Sequence, residues 1–135
     1  MKIVLSDSKK GLSFTKEVAK ENETSLIGHK VGEKIQGGSL GLAGYVLEIT
    51  GGSDAAGFPL RKDIPGMKRT KIVIGFGVGR KHSTKGNLQK RTVSGSTISQ
   101  STSQINLKVS EYGQASLEQL GFVSKPKEQK EKAKA

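Results

Sequence analysis

Gly44-Tyr45-Val46-Leu47-Glu48-Ile49-Thr50-Gly51-Gly52 decides what kind of fold this chain can have. Tyr45, Leu47 and Ile49 alternate with Val46, Glu48 and Thr50, the period of two that sends one set of side chains to a core and the other toward water. The segment therefore reads as a strand. The two glycines predict its end, as a sharp turn or as a place where backbone comes close to a ligand. Upstream, Lys2 to Leu5 and Leu12 to Val18 read as short strands, and the run Asp7-Ser8-Lys9-Lys10-Gly11 between them supplies hairpin turn residues. Downstream, Lys71-Ile72-Val73-Ile74 predicts a buried strand. Arg91 to Ser99 predicts another, with Ile105 to Val109 pairing antiparallel to it across Gln100 to Ser103. Residues 19–42 lack a clear period: Glu21 to Thr24 reads as loop, and Gly28, Gly32, Gly37, Gly38 and Gly41 interrupt the rest.

Ser116 as cap, Leu117 and Leu120 as apolar stripe and Gly121 as stop predict a short C-terminal helix. Residues 125–135 alternate Lys with Glu and Gln and hold nothing apolar larger than alanine, which predicts a disordered basic tail. With 18 glycines and only 4% aromatics, the chain favours short strands and frequent turns. The expected fold is mainly β: a small antiparallel, barrel-like domain of about six strands over residues 1–124, closed by the short helix and followed by the tail.

Charge carries the functional reading. Residues 61–91 hold ten of the 23 Lys and Arg residues against a single carboxylate, Asp63, in a chain of net charge +11. Residues 1–60 carry seven lysines and seven acidic residues, which cancel, and no acidic residue occurs from Ile64 to Ser110. A solvated face is the plain alternative, but solubility needs only scattered charge of mixed sign, whereas clustering on this scale is the footprint of a polyanion binder. The candidate nucleic-acid contacts are Arg61, Lys62, Lys68, Arg69, Lys71, Arg80, Lys81, His82, Lys85, Lys90 and Arg91, with Gly51 and Gly52 as points of close backbone approach. Phe76 is the one ring in this stretch, too few for a stacking platform, so recognition of phosphate and shape is expected. Like charge predicts that the loop over residues 79–89, with Leu88 as its sole apolar anchor, is not ordered without RNA.

Several chemistries are excluded or disfavoured. Without cysteine there are no disulfides, thiolate ligands or cysteine nucleophiles. His29 and His82 lie in no metal-ligand spacing, and no cofactor or small-molecule substrate is expected. Gly75-Phe76-Gly77-Val78-Gly79 fails both the dinucleotide and the Walker spacing and reads as a turn. Asp54 is expected to hydrogen-bond its own backbone. With His82 it would be the acid/base pair of a nucleic-acid enzyme, and that reading and an architectural DNA binder are the competitors. The apolar start, Met1 to Leu5, is too short for a signal peptide or a span, so no membrane partner and a cytoplasmic location are expected, and the Asn22-Glu23-Thr24 sequon is accidental.

Thr50-Gly51-Gly52-Ser53-Asp54, Gly57-Phe58-Pro59, Lys90-Arg91-Thr92-Val93 and Gln104-Ile105-Asn106-Leu107-Lys108-Val109 together resemble, in order and spacing, the archaeal and eukaryotic small-subunit ribosomal proteins of the S-six-e family. The resemblance runs through nearly all of residues 1–122. It implies a β-rich structural constituent of the small ribosomal subunit, bound to rRNA and neighbouring ribosomal proteins, without catalytic activity. The family's Val-Arg-Gly is Val93-Ser94-Gly95 here. No hydroxyl residue follows Ser124, so the resemblance is to the archaeal form, without regulation by tail phosphorylation.

Overall fold

The alternation at Leu47 and Ile49 lies inside a sheet, and both side chains are fully buried. The structure, a computed structural model, describes residues 1–80 and 85–114. Among these are seven strands: β1 (Lys2–Asp7), β2 (Leu12–Glu17), β3 (Lys34–Gln36), β4 (Val46–Asp54), β5 (Arg69–Ile74), β6 (Gln89–Ser94) and β7 (Thr102–Glu111). One α-helix, α1 (Lys20–Leu26), precedes β3, and a 3₁₀ turn, Gly37–Leu40, follows it. The expected C-terminal helix and basic tail lie outside the described residues.

Five strands form one sheet in the order β2-β1-β7-β4-β3, and β5 and β6 form a separate two-stranded sheet. The sheets do not close, so the barrel expectation is corrected to two sheets. The predicted β1–β2 hairpin is present, with Leu5 opposite Phe14. The predicted pairing of Ile105 to Val109 with the preceding strand is not. β7 instead runs parallel to β1 and antiparallel to β4. Its alternation specifies a buried face, and Ile105, Leu107 and Val109 do line the core with Ile3, Leu5, Leu47 and Ile49. Which strands flank it is a long-range choice that the alternation leaves open.

Residues 95–98, expected to continue a strand, are a buried connector. Their backbone bonds to residues 28–31 on one side, as in Val31 N to Ser96 O at 3.0 Å, and to residues 64–68 on the other, as in Ser96 N to Ile64 O at 2.8 Å. The segment read as loop at Glu21 to Thr24 is the body of α1. Ala19 caps it in extended conformation, Glu21 and Glu23 occupy its first turn, and Leu26 plugs the core. Glu23 also accepts from the terminal amine of Met1 at 2.6 Å.

The glycines after Thr50 do not end β4. The strand runs on to Asp54, and its register against β7 slips between Ile49 and Gly51. This is a β-bulge, which glycine favours, and the extra residue moves the inward positions from odd to even numbers. Leu47 and Ile49 face the core before it, and Gly52, opposite Ile105, and buried Asp54 face inward after it.

Candidate nucleic-acid interface

The bulge sets up everything that follows, because the re-aimed end of β4 holds the basic segment. Leu60 N donates to Gly52 O at 2.9 Å, and Ser94 N donates to Pro59 O at 2.8 Å. Residues 59–61 thus stitch the end of β4 to β6 and join the two sheets. Asp54, 3% exposed, accepts from Ala56 N at 3.0 Å and Phe58 N at 2.9 Å through Oδ1, and from Arg69 Nε at 2.7 Å through Oδ2. Burial pushes its carboxyl up, but the Arg69 guanidinium and the two turn amides outweigh that and hold it below the ordinary value. The turn role predicted for Asp54 is therefore observed. The Arg69 guanidinium also lies 5.1 Å from the centre of the Phe58 ring.

From this anchor the basic stretch folds as an antiparallel ribbon, with Arg69 opposite Ser94, Lys71 opposite Thr92 and Val73 opposite Lys90. It is not a loop between strands, and β5 is not buried: apart from Ile74 its residues are exposed or half-exposed. Side-chain alternation puts Arg69, Lys71 and Val73 on one face with Lys90 and Thr92, while buried Ile74 and Val93 lie on the other. Arg91, opposite Ile72, is exposed near the far end, where Gln89 accepts from its Nη2 at 2.8 Å. Lys62, Lys68 and Lys85 are exposed around the ribbon.

Besides Arg69, which pairs with buried Asp54, two more of the expected contact residues do another job. Arg80 is only 9% exposed, and its guanidinium donates to the Ile74 carbonyl at 3.0 Å and to the Asn87 carbonyl, tying the two sides of the ribbon's end together. Arg61 donates to Asp63 Oδ1 at 2.7 Å and to the Val78 carbonyl at 2.8 Å. A buried backbone carbonyl cannot stay unsatisfied, and Arg80 supplies the donor for Ile74, while Arg61 ties down the exposed Val78 carbonyl. The residue anchoring this loop is thus Arg80, whereas Leu88 is exposed. Lys81 and His82 lie outside the described residues, as does part of the loop expected to be unordered. Gly52 does permit close backbone approach, but to this chain's own Gln104, while the space where a Cβ would stand at Gly51 is open. His29 Nδ1 sits 2.9 Å from Glu33 Oε2 on the surface, remote in sequence from the ribbon.

The apolar end of the ribbon was not legible as such. Val73, Phe76, Val78 and Leu88 are exposed by 56, 78, 54 and 66%. The signal would have been the isolation of β5 and β6 in a two-stranded sheet, which leaves no neighbour to cover Val73.

Fold and surface together define a small basic β protein that presents a cationic ribbon on a separate, carboxylate-poor sheet. The family model described as Ribosomal protein S6e matches residues 1–121, and the chain belongs to that family. It is 42% identical over 130 residues to the small ribosomal subunit protein eS6 of Methanosphaera stadtmanae, covering 96% of this chain and 98% of that one. To the protein of the same name from Methanocaldococcus jannaschii it is 40% identical over 119 residues, 88% of each chain. To that from Methanoregula boonei it is 35% identical over 134 residues, 99% of this chain and 94% of the other.

Proposed function

We propose that this chain is a structural constituent of the small ribosomal subunit, of the archaeal type, which grips phosphates of folded rRNA with the β5–β6 ribbon. Family membership supports the structural role. One observation carries the RNA contact: Lys71 and Lys90 share an exposed ribbon face, with Arg69, already paired with Asp54, at its root, and no acidic residue occurs from Ile64 to Ser110. Lys62, Lys68, Lys85 and Arg91 extend the contact around it, and Lys81 and His82 join it from the loop between the strands. Arg61 and Arg80 serve it indirectly by holding that loop.

Residues 1–124 form the binding domain, and the tail at 125–135 adds weak phosphate contacts. Neighbouring ribosomal proteins are its other partners, in the cytoplasm. Among the described residues no helix is long and apolar enough to cross a membrane. The role is not enzymatic, and Asp54 is consumed by its turn amides and Arg69 rather than left available as an acid or base.

Lysines that neutralise phosphates release counterions, so affinity falls steeply with salt. About six engaged cations give a log–log slope of about −4 to −5. The test is a salt titration of the full chain on small-subunit rRNA. The Lys71→Ala/Lys90→Ala protein is expected to bind more weakly, with a slope shallower by about 2. A slope near zero for the wild type, or one the double variant leaves unchanged, would overturn the reading. Tighter binding to duplex DNA at the same salt would favour an architectural role instead.

A further inference from the structure

The cationic ribbon ends in an apolar tip for which phosphate binding gives no reason. Phe76, 78% exposed, stands just past β5, with Leu88 across the ribbon from Gly75 and Val73 two pairs nearer the root. Exposed apolar side chains are ordinary singly but call for a partner when they cluster. Phe76 is flanked by Gly75 and Gly77, so neither neighbour in the chain offers a side chain to cover its ring. Lys90 pairs with Val73, and Arg91 and Lys71 follow within two positions. The tip is therefore an exposed aromatic ring with cations on its root side, Lys71 and Lys90 on one face of the ribbon and Arg91 on the other.

A protein partner fits it poorly, since a stable protein interface buries about 800 Å² on each side, beyond the reach of four side chains. An unpaired nucleobase fits well: it has a flat apolar face, and its own backbone places phosphates on either side.

We propose that Phe76 is a base-stacking wedge, which seats the ribbon at an rRNA site with an unpaired or bulged nucleotide while Lys71, Lys90 and Arg91 take the flanking phosphates. The proposal rests on the rRNA reading above. Stacking on one ring then supplies the position along the RNA that phosphate contacts alone leave undefined.

The test compares Phe76→Ala, Phe76→Leu and Phe76→Trp in the full chain, by salt titration on small-subunit rRNA. Because the side chain is exposed, these changes spare the fold. Phe76→Ala is expected to weaken binding about 5- to 150-fold with the salt slope unchanged, since a ring and not a charge is lost. Phe76→Leu is expected to weaken it nearly as much, and Phe76→Trp to keep affinity, with its emission quenched on binding. Wild-type affinity in Phe76→Ala, with the slope intact, would overturn the wedge and leave the phosphate contact standing. Wild-type affinity in Phe76→Leu would show an apolar contact without stacking and overturn it equally. Loss of Phe76→Ala from assembled particles without loss of rRNA affinity would assign the tip to a protein neighbour. A wild-type slope near zero would remove the rRNA reading and the wedge together.

Discussion

Replacing Gly52 with alanine strikes the point where the bulge in β4 joins the two sheets. A Cβ there would stand 2.3 Å from the Gln104 carbonyl oxygen and 3.2 Å from Leu60 Cδ1. Carbon and carbonyl oxygen in close strand contact normally lie about 3.3–3.6 Å apart, so roughly 1 Å must be found. It cannot come from a flexible side chain, because the obstructing atom belongs to the backbone of β7, held between β1 and β4. Either the strands part, losing ladder hydrogen bonds, or the bulge shifts and re-aims Asp54. Overpacking of this kind costs about 3 kcal/mol, a large share of the roughly 5–15 kcal/mol that holds a domain together. The melting temperature should fall by roughly 10–20 °C. Gly51 is the internal control, since a Cβ there meets nothing within 4 Å. Gly51→Ala should be neutral or stabilise by about 0.5 kcal/mol, because alanine has less backbone entropy to lose. Thermal and urea unfolding followed by circular dichroism measures all three proteins. If Gly52→Ala melts within about 2 °C of wild type, or Gly51→Ala falls as far as Gly52→Ala, the account of the bulge is wrong.

Arg80→Ala should lower stability by about 1–3 kcal/mol, because it leaves the carbonyls of Ile74 and Asn87 without their donor. Its salt slope on rRNA should match wild type, and a slope shallower by about 1 would instead place Arg80 on a phosphate. Asp54, held below its ordinary value, contributes stability that is complete above the unfolded-state pKa of about 3.9 and is lost as the pH falls through the lower folded value. Urea midpoints measured between about pH 5 and pH 3 should drop more steeply for wild type than for Asp54→Asn. Parallel profiles would mean that this carboxylate does not sense the acid range.

Strands with one buried face were readable where alternation was strict, as at Leu47 and Ile49 or Ile105 to Val109. Their partners were not, because a period of two fixes a face but not a neighbour. That is why β7 lies parallel to β1, with Ile3 opposite Ile105 from the far end of the chain, and not against the strand before it. The helix at Lys20–Leu26 was missed because seven residues with one buried side chain show no period, and packing of Leu26 rather than propensity maintains it. At Gly51-Gly52 the sequence marked an interruption correctly, but bulge and turn look alike without the opposite strand.

The order of the charges, their concentration between residues 61 and 91 and the family motifs are properties of the sequence by itself, and no folding alters them. Which of those charges face solvent was decided only in three dimensions. Arg61, Arg80 and Lys71 are all cations, but backbone carbonyls of the folded chain claim the first two, while Lys71 stands exposed on the ribbon face. A cation's availability depends on groups that chain folding brings to it, and the local sequence does not contain them.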